Sequence, residues 1–172
     1  MPTPKLQPSR ALEVIPSQDA NIPTPNVLID SSAQIAGDLL IDATANFIIT
    51  TPTGVQYKVN PGDVVYITSL PAAATIVQVV NATTLKLNVS VGTYALEFYK
   101  VYQEGAQTGL FNQGCVLYVG TGAPTTGGFL AVRTSGNDFV TFYKVQSGTF
   151  IPVNVTKVLS SGTDCTDIIA LW

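Results

Sequence analysis

Histidine is absent from this chain, and with it go His-ligated zinc, Ser-His-Asp and Cys-His catalysis, and any imidazole-based pH switch. Charge is scarce as well. Eight Lys+Arg and eleven Asp+Glu make up 11% of 172 residues, with a formal net charge of −3. The basic residues stand singly under an acidic balance, which leaves no cationic stripe for nucleic acid. No apolar run approaches the roughly 20 residues that span a bilayer, and the start Met-Pro-Thr-Pro-Lys lacks an apolar leader core. These absences describe a soluble chain made in the cytoplasm, binding neither nucleic acid nor membrane. Cysteine is limited to Cys115 and Cys165, without Cys-x-x-Cys spacing, and in a reducing compartment the pair reads as free thiols.

What is present is β-branched. Twenty valines, twelve isoleucines and twenty-one threonines are stiff at χ1 and pack best on a pleated surface, so composition already argues for an all-β protein. No segment of useful length carries a helical period.

Six of the eleven prolines lie in the first 25 residues. Each fixes φ and removes a backbone donor, so residues 1–37 read as an extended, proline-rich arm. Isolated apolar residues within it (Leu6, Leu12, Val14, Ile15 and Ile22) suit an arm that docks on a neighbouring subunit. Deleting residues 1–30 should then spare the fold and abolish docking. Residues 38–102 switch to a period of two. Short strands are expected at 39–43, 47–51, 55–59, 64–68, 75–80, 85–89 and 94–102. Turns such as Asn60-Pro61-Gly62-Asp63 separate them, Pro-Gly supplying the negative and then positive φ of type II. This pattern indicates a small β-barrel module. Residues 103–114 carry three glycines and little apolar content, as in a linker. Strands resume in 115–172, a second module of β-sandwich type. The whole is an N-terminal extended arm plus two small antiparallel β-barrel or sandwich modules. Its last strand, Ile168-Ile169-Ala170-Leu171-Trp172, is too apolar to be left in water, which places Ile168, Ile169, Leu171 and Trp172 in the core or a subunit interface.

Sites for chemistry are weak. The glycine-rich run 120–128 lacks the Gly-Lys-Ser/Thr ending and a following helix, so it reads as a hairpin loop and not a phosphate cradle. Asp164 and Asp167 lack the spacing of a calcium loop. Asp38 and Asp42 share one strand face but read as solvated positions before they read as a glycosidase pair. Three Asn-x-Ser/Thr triplets, at Asn81, Asn88 and Asn154, are incidental in a Thr-rich chain. The aromatics at 94, 98, 99, 102, 142 and 143 sit at strand period, as core or interface. No catalytic, cofactor or metal residue is assigned, and no enzyme activity is expected.

From Cys115 onward the chain carries Leu117-Tyr118-Val119-Gly120-Thr121-Gly122, Ser147-Gly148-Thr149-Phe150-Ile151-Pro152-Val153, Lys157-Val158-Leu159 with Gly162-Thr163, and the ending Ile168 to Trp172. This third of the sequence resembles the head-spike base proteins of phage-like gene transfer agents and related small structural proteins of tailed phages. The resemblance implies a small β domain that self-associates around a capsid vertex and supports a fibre. The loop after Gly122 is expanded relative to that pattern by Ala123-Pro124-Thr125-Thr126, and residues 38–102 are an additional module, similar to barrel modules of phage virion proteins. The expected role is therefore a virion structural protein of the vertex, spike base or capsid cement type. Its expected partners are itself, as a pentamer or trimer, the major capsid protein or other virion proteins, and a fibre protein. The alternative is a neck, tail or fibre component acting as a carbohydrate-binding host-adhesion module.

Overall fold

A computed structural model describes residues 8–52, 54–104, 114–122 and 127–172; among the described residues are fourteen strands and no helix. The chain forms two compact units. One comprises residues 15–104, and the other joins residues 8–14 to 114–172.

The first unit is built on a closed antiparallel barrel in the order β2-β3-β8-β7-β6-β9. Its strands are β2 (Val27–Gly37), β3 (Leu39–Ile41), β6 (Val64–Ile67), β7 (Ala74–Asn81), β8 (Thr84–Leu87) and β9 (Gly92–Tyr102). A two-stranded hairpin, β4 (Ile48–Thr51) with β5 (Gly54–Tyr57), stands apart from the barrel ladder. Alternation decides which side chains point inward. Ala33 and Ile35, Leu85 and Leu87, and Tyr99 and Val101 are each two apart, and all are buried in the barrel core together with Leu40, Phe47, Val59, Val65, Ile67 and Ile76. The Asn60–Asp63 turn has the expected geometry, with Gly62 at φ +100° and the amide of Asp63 donating to the carbonyl of Asn60.

Two features of this unit depart from the sequence reading. β2 lies inside the stretch 1–37 expected to be an extended docking arm, and it makes the longest ladder among the described residues, antiparallel to β9 from Val27↔Tyr102 to Gly37↔Gly92. The prolines stop at Pro25, and from there Ile29, Ala33 and Ile35 keep a strand period that the intervening Asp30-Ser31-Ser32 obscures. Residues 15–25 precede β2 and pack on the same unit. Ala20 is buried with Val64 and Ala73, Ile15 packs against that cluster, and the Ser17 hydroxyl donates to the Ala73 carbonyl at 3.0 Å.

The second unit contains β1 (Ala11–Glu13), β10 (Cys115–Thr121), β11 (Gly128–Thr134), β12 (Phe139–Val145), β13 (Thr149–Val158) and β14 (Thr166–Leu171). They belong to one hydrogen-bonded antiparallel ladder of six strands, in the order β1-β14-β10-β13-β11-β12. The ten-residue β13 joins its two parts. Its first half pairs with β10 and its last residues with β11, so the ladder is continuous across all six strands. Leu117, Val119, Leu130, Val132, Ile151, Val155, Ile168 and Ala170 are buried.

Candidate interaction surfaces

The polar centre of the barrel is a buried carboxylate. Asp42 follows the inward Leu40 by two residues, so its carboxylate is carried inside, where it is almost wholly buried. One oxygen accepts the hydroxyls of Ser31 at 2.7 Å and Tyr99 at 2.9 Å. The other accepts the Thr44 amide at 2.8 Å, the Thr44 hydroxyl at 2.7 Å and the Ala45 amide at 3.0 Å. Burial by itself would raise the carboxyl pKa; the hydrogen bonds from Thr44, Ser31 and Tyr99 outweigh it and bring the value down to about 2. Burial, then the hydrogen bond to Asp42 and the Asp42 charge, push the Tyr99 phenol upward. Asp42 is thus a saturated structural anion and not the solvated strand position the sequence suggested. Asp38, paired with it in that reading, is half-exposed and faces Lys86 at 3.6 Å. Asp63 holds a second knot, accepting the amides of Asn60 at 2.7 Å and Glu104 at 2.9 Å, with burial raising its pKa.

The other sequence candidates also serve the fold. Asp164 accepts the Phe129 amide, and Asp167 accepts the hydroxyls of Thr121 and Thr166. Asn81 and Asn88 accept the amides of Thr83 and Thr75. Cys115 and Cys165 are free and buried, and burial pushes the Cys115 thiol up to about 12. Within 120–128, residues 123–126 lie outside the described residues; Gly120 and Thr121 are the last two residues of β10, and the Gly122 amide donates to the Ser147 hydroxyl oxygen at 3.0 Å. Among the described residues, no group of three or more Cys, Asp and Glu side chains could hold a metal ion, and no helix is long and apolar enough to cross a membrane.

Of the apolar residues assigned to arm docking, the four that are described, Leu12, Val14, Ile15 and Ile22, pack within their own chain. Leu12 lies in β1, paired with Ala170 of β14, and Val14 is buried with its amide bonded to the Ile168 carbonyl at 2.8 Å. Ile15 and Ile22 belong to the first unit, half-buried and buried respectively. Leu6 and most of the 103–114 linker lie outside the described residues. The physical reason is an edge: β14 offers unpaired backbone on the side away from β10, and residues 11–13 satisfy it. A strand flanked on both sides is interior. Ile168 and Ala170 are accordingly buried, while Ile169, Leu171 and Trp172 are half-buried.

Several large apolar side chains remain open to solvent. On the outer face of the barrel, Leu96 is 65% and Phe98 68% exposed in β9, beside the exposed Tyr94. Val55 and Tyr57 are exposed on the β4–β5 hairpin. In the second unit, Phe139 and Tyr143 are 69% and 70% exposed on β12, and Phe129 of β11 meets Tyr143 edge-on at 5.4 Å. Tyr99 and Tyr102, by contrast, are buried, so the strand-period aromatics divide between core and surface. Strand alternation sets Phe98 and Tyr99 on opposite faces, and barrel closure decides that Tyr99 is the inward one. Comparison with known proteins returned no matching family, no matching curated relative and no matching solved structure.

Proposed function

We propose that this chain is a non-enzymatic structural protein of a tailed-phage particle, a head-vertex or spike-base component or a capsid cement protein, acting as a homo-oligomer against the major capsid protein. The observation that carries the reading is the row of large apolar side chains held outward on rigid strands in both units, above all Leu96, Phe98, Phe139 and Tyr143. Covering one such side chain is worth roughly 1.5–3 kcal/mol, and contiguous exposed apolar patches mark association surfaces. A chain with 11% charged residues has little else with which to keep such faces apart. The resemblance of 115–172 to spike-base proteins supports the phage assignment.

The mechanism differs from arm docking. Residues 8–25 are taken up by the chain's own two units, so assembly proceeds through the outward strand faces and sheet edges. The test is incorporation. Particles assembled with the wild-type chain and with Leu96→Glu/Phe98→Glu or Phe139→Glu/Tyr143→Glu variants should retain the wild type and lose at least one of the pairs. Equal incorporation of all three would overturn the reading.

The Phe129–Tyr143 contact also favours a second reading, a glycan-binding adhesion module, because exposed aromatic faces stack on sugars. A glycan array with signal lost in Tyr143→Ala would select it.

A further inference from the structure

β12 is the last strand of its sheet, and among the described residues it pairs with β11 alone. Its hydrogen-bonding phase follows from its neighbours. The Thr134 amide donates to the Asp138 carbonyl, so Thr134 and Asp138 face one another through their backbone groups. Alternation then turns the backbone groups of Arg133 and Ala131 away from β12, and the Leu159 amide indeed donates to the Ala131 carbonyl. The partners of Arg133 and Ala131 on β12 are Phe139 and Thr141. Phe139 and Thr141 therefore turn their N–H and C=O outward, as does Tyr143 two residues on, along an edge with no proline.

The sequence of that edge is self-complementary. Read from Asp138 to Lys144 it is Asp-Phe-Val-Thr-Phe-Tyr-Lys, and reversal about Thr141 sets Asp138 against Lys144, Phe139 against Tyr143 and Val140 against Phe142. We propose that β12 pairs antiparallel with β12 of a second copy, across a two-fold axis at Thr141. Thr141 bonds to its own counterpart, and Phe139 to Tyr143 of the partner subunit. Phe139, Thr141 and Tyr143 share one face, so the seam brings Phe139 beside the partner's Tyr143 and extends the Phe129–Tyr143 contact of each subunit into one aromatic row. On the other face Val140 meets the partner's Phe142. Lys144 sits in a bulge at φ +58°, and its long side chain spans the irregular end of the ladder toward the partner's Asp138. Opposite charges at both ends fix the register, since a slip would remove both pairs. A contact of this kind is isologous, joining two copies without closing a ring. It rests on the self-association in the proposed function and not on the virion assignment.

Thr141→Cys tests the axis. Hydrogen-bonded antiparallel partners lie about 5.5 Å apart at Cα, within the span a disulfide bridges, and the native cysteines are buried. Mild oxidation should convert the variant to a reducible covalent dimer. Thr141→Pro, which removes an outward donor that β11 does not use, should weaken dimerisation at least tenfold with unchanged circular dichroism. Asp138→Lys and Lys144→Asp should each weaken it, and the double exchange should restore it, which a folding defect would not do. A chain that assembles with Thr141→Pro unchanged overturns the two-fold while leaving the structural role standing. A strictly monomeric wild type overturns both the seam and self-association. Cross-linking of Thr141→Cys only to a different protein overturns the two-fold and assigns the edge to that partner.

Discussion

The hydroxyl of Tyr99 donates to Oδ2 of Asp42 at 2.9 Å inside the barrel, tying β9 to the end of β3 across 57 residues of sequence. Ser31, opposite Tyr99 in the β2–β9 ladder, reaches the same oxygen. A single buried carboxylate thereby connects three parts of the barrel wall, and every hydroxyl and amide aimed at it depends on it for satisfaction.

Asp42→Ala should accordingly cost about 3 kcal/mol or more, because it leaves several buried donors without an acceptor. Tyr99→Phe, which removes one donor and leaves the other bonds in place, should cost roughly 1 kcal/mol. Urea denaturation checks both, and the double variant should lose less than the two single losses combined.

Acid should expose the same anion. The Asp42 pKa is held near 2 in the fold against 3.8 for the ordinary group, so the unfolded chain takes up its proton first. The stability this supplies, about 2 kcal/mol, is complete above about pH 4 and is lost as pH falls toward 2. Asp63 acts in the opposite sense. Its raised pKa means the folded chain holds the proton longer, so it lowers stability as pH rises through that raised value. Denaturation followed from pH 6 to pH 2 should show a steep loss below pH 4 that Asp42→Asn flattens.

Cys115 and Cys165 should be silent toward a thiol reagent in the native protein and react together on unfolding. Burial removes both access and thiolate, with Cys115 pushed up to about 12. Reaction of either under native conditions would contradict their placement.

Removing residues 1–14 should destabilise the second unit and promote aggregation. It strips β1 and Val14 from β14 and reopens a sheet edge. Thermal unfolding with light scattering would detect it. Deletion to residue 30 goes further, taking the buried Ala20 and Ile22 and the start of β2.

Strand alternation and turn chemistry were legible wherever they are local: the Asn60–Asp63 turn, the β7–β8 hairpin at Asn81-Ala82-Thr83-Thr84 and β9 through β14 all follow from neighbouring residues. What was not legible is non-local. β3 offered Leu39 and Ile41 on one face and Leu40 and Asp42 on the other, and the more apolar choice is the outer one, because the acceptor inside is needed by Ser31 and Tyr99. Proline in the first 25 residues correctly signalled extended chain but said nothing of what it would lie against. The one sequence trace of the Asp42 site is Asp-Ala-Thr, the spacing of an aspartate that caps its own turn.

The outward apolar rows are proposed to be surfaces for association with copies of this chain. Molar mass by multi-angle light scattering over a hundredfold range of concentration tests it most directly. The expected mass is at least twice the 18.1 kDa of the chain, falling toward it in Leu96→Glu/Phe98→Glu or Phe139→Glu/Tyr143→Glu. A wild-type protein that stays at 18.1 kDa throughout would contradict it.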